Sequence, residues 1–219
     1  MIIAIDGPSG SGKSTLGRML ARALKLLYID TGSMYRAVAL AVIDAEIDPG
    51  DKDAVTALAD EIEIDLRGDP DSLIVSLNGH DVTEKIRTES VTQMSSVVST
   101  IPGVRRAMVE RQRAMGKRGA VLNGRDIGTV VFPDADVKFF LTAAPEERAE
   151  RRFIEDQMTA SSSATLAETL ADMMERDRRD STRADSPLKV ADDAVVIDST
   201  GKSIEAVFEE MMNNVHRNH

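Results

Sequence analysis

The chain contains no cysteine and no tryptophan, and aromatic residues make up 3% of its 219 positions. Without thiols there is no disulfide and no thiolate metal site, which fits a reducing compartment. No apolar run approaches the roughly 20 residues that span a bilayer, and residues 2–5 are too short for the apolar region of a signal peptide. The protein is therefore expected in the cytoplasm, without a membrane partner. Basic residues are in deficit: 27 Lys and Arg stand against 37 Asp and Glu, a net charge of −10. A general nucleic-acid binder needs a broad basic surface to neutralise phosphates, so no nucleic-acid partner is expected either. Histidine is scarce, and His80, His216 and His219 are isolated enough to read as incidental. Internal repeats and low-complexity tracts are lacking; "ASSSA" (160–164) is only a short linker-like stretch.

What is present is ordinary for a globular enzyme: 42% hydrophobic and 29% charged residues, in a length that supports one substantial core with a small appended lobe. Short apolar runs recur at 2–5, 26–29, 120–122, 137–141 and 194–197. Helix-period segments lie between them. Leu16, Met19, Leu20, Ala23 and Leu24 are expected on one face of the first helix, and Ile204, Val207, Phe208, Met211 and Val215 on one face of the last. Buried strands alternating with helices predict an α/β fold with a parallel sheet covered by helices on both faces. Residues 61–66 and 73–78 instead largely alternate apolar and polar around "RGDPDS", which predicts an inserted antiparallel hairpin. A helix is expected over about 88–116, interrupted at Pro102.

"GPSGSGKST" follows the first strand and opens the first helix. Gly7, Gly12, Lys13 and Ser14 satisfy the eight-residue phosphate-loop pattern, with Pro8, Ser9, Gly10, Ser11 and Thr15 completing the segment. Glycines let backbone N–H groups converge on phosphate oxygens, and the helix N-terminus adds a favourable dipole. Lys13 reaches the β- and γ-phosphates, and the Ser14 hydroxyl ligates Mg²⁺. A glycine-rich turn with a chance lysine is the bland alternative, which the strand before and helix after make remote. The chain is expected to bind ATP with magnesium. No Asn-Lys dipeptide occurs, which argues against guanine recognition, and the length is too small for a motor or transporter ATPase.

A small kinase must also grip a second phosphate, for which the planar, permanently charged arginine fork is best suited. "DTGSMYR" (30–36) offers Thr31 and Arg36 at a helix start, and "NGRD" (123–126) offers Arg125 beside Asp126. "ERDRRDSTR" (175–183) offers Arg176, Arg178, Arg179 and Arg183. Taken singly, each arginine reads as a solvated helix face, and Glu175, Asp177 and Asp180 could simply pair with the last cluster. Loops at the carboxyl ends of parallel strands face one crevice, however, and the phosphate loop, "DTGSMYR" and "GRD" all sit at such ends.

These segments, with "IRTESV" (86–91), "NGRDIGTVVFPDADVKFFL" (123–141), "ERDRRDSTRADSPL" (175–188) and "VVIDSTGKSIEAV" (195–207), resemble bacterial-type cytidylate kinase, a nucleoside monophosphate kinase family, essentially from end to end. The resemblance implies transfer of the ATP γ-phosphoryl to CMP or dCMP, giving ADP and CDP or dCDP; a monomer is expected. It implies one domain with a core over 1–60 and 117–219, a monophosphate-binding insert over about 61–116 and a mobile lid over about 156–185. By motif, Arg36, Arg125 and Arg183 would grip the acceptor phosphate with Thr31 beside them. Ser96, Arg105 and Asp126 would contact cytosine, and Arg176 and Asp180 the ribose. Arg178 and Arg179 would lie in the lid near the transferring phosphoryl, where Lys13, Arg176 and Arg183 also act. Asn123 stands where the family more often has an acidic residue. A kinase for another small acceptor (UMP or a nucleoside) and a nucleotide-sensing module without turnover are the alternatives.

Overall fold

A computed structural model describes residues 1–159 and 164–217. Most of "ASSSA", four residues of the expected lid and His219 fall outside that range. The chain divides into two compact units, Met1–Ile29 with Gly116–His219, and Asp30–Met115.

The first unit opens with β1 (Ile2–Asp6), whose Ile3, Ala4 and Ile5 are fully buried, as a central strand packed on both faces requires. Helix α1 (Lys13–Leu24) and strand β2 (Leu27–Asp30) follow. The face of α1 differs from expectation. Leu16, Gly17, Leu20 and Ala21 are buried, Met19 and Leu24 only partly so, and Ala23 is exposed. Gly17 rotates the buried stripe because it gives the Tyr28 ring room: a Cβ there would come within 2.9 Å of it.

In the second unit, α2 (Thr31–Asp44) is capped by Asp30, which accepts the Gly32 N–H at 3.1 Å. Then come α3 (Lys52–Glu61), capped by Asp51, and strands β3 (Ile64–Arg67), β4 (Ile74–Leu77) and β5 (His80–Asp81). The hairpin thus forms where the alternation placed it, with a third, two-residue strand that is too short to show a pattern. A 3₁₀ turn (Lys85–Arg87) leads into α4 (Glu89–Val98) and α5 (Pro102–Gly116). Pro102 ends one helix and starts the next, where its missing N–H costs nothing. Helix α2 packs against α4. Arg111 of α5 donates to the carbonyls of Ala59, Asp60 and Ile62 at 2.7, 3.0 and 2.8 Å, closing the C-terminus of α3.

The chain then returns to the first unit through β6 (Ala120–Gly124), a π turn (Ile127–Val131), β7 (Val137–Thr142), α6 (Pro145–Thr159), α7 (Leu166–Thr182), β8 (Val195–Asp198) and α8 (Ile204–Arg217). A capping box of Thr165 and Glu168 starts α7. The five-stranded sheet runs β2-β6-β1-β7-β8, with β1 parallel to both β6 and β7 and β7 parallel to β8. Helices flank it. Val207, Met211 and Val215 of α8 are buried as expected, with Ile204 and Phe208 partly covered.

Candidate active site

Strand register brings two of the predicted motifs together. Asp6, the last residue of β1, lies opposite Gly124, the last of β6, so the phosphate loop and the "GRD" turn leave the sheet side by side. The loop ends at Gly12, which caps α1 without any side-chain hydrogen bond, and the first turn of α1 holds no acidic residue. Its N–H groups and dipole are thus left to an anion. Lys13 is buried, its Nζ donating to the Pro8 carbonyl at 2.5 Å and to Ser11 Oγ at 3.3 Å. Burial first, then the charges of Arg125 and Arg176, hold this ammonium well below the usual lysine range. An electropositive, desolvated lysine is an anion-seeking group. Ser14 is exposed, its hydroxyl accepting from Asn123 Nδ2 at 3.1 Å, and Thr15 beside it is exposed too.

The turn after β6 is built around Asp6. Its two carboxylate oxygens accept the Ile127 N–H at 2.8 Å and the Gly128 N–H at 2.7 Å. A Cβ at Gly128 would lie 3.1 Å from Lys138 Cδ and 3.4 Å from Asp6 Oδ2, so a side chain there would crowd this clasp. The π turn that follows, with Val131 and Phe132 donating five residues back to Asp126 and Ile127, fixes where Arg125 and Asp126 project. The sequence motifs did not single out Asp6; an acidic residue ending an apolar strand directly before a phosphate loop was the available signal.

Helix α7 supplies the partners of that turn. Arg125 Nε donates to Asp180 Oδ2 at 2.8 Å, and Arg183 Nη1 to Asp180 Oδ1 at 3.4 Å. Arg183 Nη2 also lies 4.0 Å from Asp126 Oδ1. Burial pushes the Asp180 carboxyl up, but Arg125, Arg176 and Arg183 outweigh it and hold it below the usual range. Asp126, Asp180 and the Arg183 side chain are nearly inaccessible, and the Arg125 side chain is 17% exposed. Arg125, Asp126, Asp180 and Arg183 therefore form one buried cluster, with Arg176 adding its charge. Arg178 and Arg179 do not join it; both pair with Glu175 on the same helix, Arg178 at 2.8 Å on the surface.

The second unit holds the other predicted residues. Thr31 is buried at the start of α2. One turn on, Arg36 Nη2 reaches Ser33 Oγ at 2.7 Å and Asp30 Oδ2 at 3.4 Å, while its buried Nε has no hydrogen-bond partner among the described residues. A half-buried guanidinium whose sheltered Nε has a donor to spare suits a phosphate oxygen. Arg105 is 2% exposed, donates to the Ser99 carbonyl at 3.2 Å and lies 5.7 Å from the centroid of the Tyr35 ring. Ser96 is half-buried on α4, its carbonyl taken by Ser99 Oγ at 3.1 Å.

Asp6 should make the site respond to pH. Burial raises its pKa to about 6, against the opposing pull of the Gly128 and Ile127 N–H groups. The ionised form is thus the costly one: its contribution to stability is full below the ordinary 3.8 and lost as pH rises through about 6. Catalysis should run the other way. Protonation turns one acceptor oxygen toward donor duty opposite an N–H and loosens the turn carrying Arg125 and Asp126. Substrate phosphates titrate near pH 6 as well, so the useful readout is kcat/KM of the wild type divided by that of Asp6→Asn, which should fall about tenfold from pH 7.5 to 5. A ratio flat with pH would show that the Asp6 charge does not govern the turn.

Residues 3–217 match the profile of the cytidylate kinase family. The chain is 50% identical over 216 residues to cytidylate kinase of Citrifermentans bemidjiense, covering 98% of this chain and 92% of that protein. It is 45% identical to cytidylate kinase of Halalkalibacterium halodurans, covering 98% and 97% of the two chains. Among solved structures, an uncharacterized protein from Eubacterium ventriosum shares the fold at a TM-score of 0.53 and 12% identity, covering 99% and 98% of the two chains. With a phosphate loop and a "GRD" turn on adjacent strands of a parallel sheet, the chain belongs to the cytidylate kinase family.

Proposed function

We propose that the protein transfers the γ-phosphoryl of ATP to CMP or dCMP, giving ADP and CDP or dCDP. The observation that carries this is the buried cluster of Arg125, Asp126, Asp180 and Arg183 beside the phosphate loop, in a chain of this family. Phosphoryl transfer needs little covalent help, so positioning and charge neutralisation supply the rate and no side chain is assigned as base. The loop segment from Gly7 to Thr15 holds the donor, with Lys13 on its β- and γ-phosphates. Arg36, Arg125 and Arg183, with Thr31, hold the acceptor phosphate. Ser96, Arg105 and Asp126 contact cytosine, and Arg176 and Asp180 hold the ribose. When CMP binds, Arg125 exchanges Asp180 for the acceptor phosphate, and Asp180 turns to the ribose hydroxyls with the charge of Arg176 still acting on it.

The exposed Ser14 hydroxyl fits Mg²⁺, which keeps waters and draws most of its ligands from substrate phosphates rather than from a protein cage. Bound there with ATP, the metal supplies charge neutralisation on the phosphates. Asn123, donating to Ser14 Oγ, orients that hydroxyl. Residues 61–116 form the monophosphate-binding insert and 156–185 a lid whose closure keeps water from the γ-phosphoryl, with Arg178 and Arg179 brought in on closing. The cytoplasmic location is in keeping with a cysteine-free chain.

The direct test is ADP formation from ATP with CMP, dCMP, UMP, AMP and GMP in turn. CMP and dCMP should be turned over, with CMP preferred to UMP by at least about tenfold in kcat/KM, because a carboxylate and an arginine match the donor and acceptor edge of cytosine and oppose that of uracil. Equal turnover of UMP would sink the acceptor assignment, and ATP binding with no ADP from any monophosphate would favour a sensor.

A further inference from the structure

Arg148 lies outside the motifs that carry the function, and Asp177, inside the α7 motif, has no role assigned above, yet both are bonded to the phosphate loop. Arg148 sits early in α6, its side chain 7% exposed, and its Nε donates to the Ala143 carbonyl at 3.1 Å. Its Nη1 donates to the Ser9 carbonyl at 2.8 Å and to Asp177 Oδ2 at 2.6 Å. The other oxygen of Asp177 accepts the Ser9 N–H at 3.2 Å. One ion pair thus holds a single loop residue by both its N–H and its C=O. The fit is close: a Cβ on Gly10, whose φ is +71°, would fall 2.6 Å from the Arg148 carbonyl oxygen and 2.9 Å from Met173 Cε.

Two consequences follow. Pro8 has no N–H and that of Ser9 is committed to Asp177, so neither is offered to a phosphate, and past them the loop's N–H groups start at Gly10. Asp177 also lies three residues before Asp180, the acceptor of Arg125, so one turn of α7 grips the phosphate loop with the first carboxylate and the "GRD" turn with the second.

We propose that Arg148 and Asp177 are positioning residues for phosphoryl transfer: clamping the Ser9 peptide to α6 and α7 sets the shape of the donor loop. This rests on the loop being the ATP site. An exposed ion pair contributes little, but here the arginine is buried and both partners also bind loop backbone, so neither is released without leaving the other uncompensated.

The test measures kcat and both KM values in the full-length enzyme. Asp177→Ala and Arg148→Met should each raise the ATP KM by about ten- to a hundredfold, the range of a lost charge-assisted contact, with the CMP KM within about twofold. The double variant should be no worse than the worse single one, since the pair acts as a unit. Asp177→Asn, which keeps an acceptor for the Ser9 N–H, should lose less, and it provides the same split should Asp177→Ala fail to fold. Lower melting temperatures with unchanged ATP KM and kcat would mean that the pair merely staples α6 to α7, overturning the proposal. Equal rises in the ATP and CMP KM values would overturn it too, by pointing to displacement of α7 alone. Lys13→Met is the reference: if it kept wild-type ATP kinetics, the failure would lie with the ATP-site assignment and not with the pair.

Discussion

Lys13→Met is expected to lower kcat by about a thousandfold, the cost of removing one preorganised charge from a transition state that gathers charge on phosphate oxygens. It should do so without lowering thermal stability. The Lys13 ammonium is buried, and Arg125 and Arg176 push its pKa down further, so holding it charged at pH 7 costs folding free energy. The sign is that of any depressed lysine: the folded state gives up stability as pH falls through the depressed value, where the unfolded chain is already charged. Methionine fills similar space and removes that cost, at the loss of the hydrogen bonds to Pro8 and Ser11. Steady-state kinetics with a melting curve separate the two quantities. A variant with near-wild-type kcat would remove Lys13 from the chemistry, and one that lost activity only with its fold would give the residue a structural role.

Legibility in the sequence followed how local each signal was. The phosphate loop was readable because eight consecutive residues carry its chemistry, and β1 and β7 because central strands are mainly apolar, with Lys138 the one charge within β7. Pro102 marked the break between α4 and α5 because proline acts within its own turn. The α1 stripe was misplaced at Ala23 because helical periodicity cannot see that Gly17 makes room for Tyr28 from the next strand. Strand β5 was missed because two polar residues have no period. Among site residues, Arg178 and Arg179 pair with Glu175 in their own helix, a contact at helical spacing that the interleaved charges made legible. Arg183 instead reaches the buried cluster through a helix-to-turn contact 57 residues away in sequence. Asp6 and Asp177 act on backbone N–H groups 121 and 168 residues away, which no local pattern encodes.

Arg125 and Asp126 are adjacent in sequence but should fail in different ways. Arg125→Ala removes a charge-assisted fork from a group common to every nucleoside monophosphate, so kcat/KM should fall about a hundredfold for CMP and for UMP alike. It also deprives Asp180 of its 2.8 Å partner, leaving it the charges of Arg176 and Arg183, the latter at 3.4 Å. Arg125→Lys keeps the charge but not the planar fork, and should fall between the two. Asp126→Ala acts on the base. Cytosine offers an N4 amino donor where uracil offers the O4 acceptor, so a carboxylate gains a hydrogen bond with one and faces lone pairs in the other. A well-made contact of this kind discriminates by about 1–3 kcal/mol, or about five- to 150-fold, and the CMP/UMP ratio of kcat/KM should shrink by that factor, chiefly through loss of CMP turnover. The structure sharpens the comparison, because Asp126 lies 4.0 Å from Arg183 and could serve only to hold that arginine. In that case Asp126→Ala would lower both substrates equally, as Arg125→Ala does, and an unchanged CMP/UMP ratio would make Asp126 a support for the phosphate grip and no reader of the base.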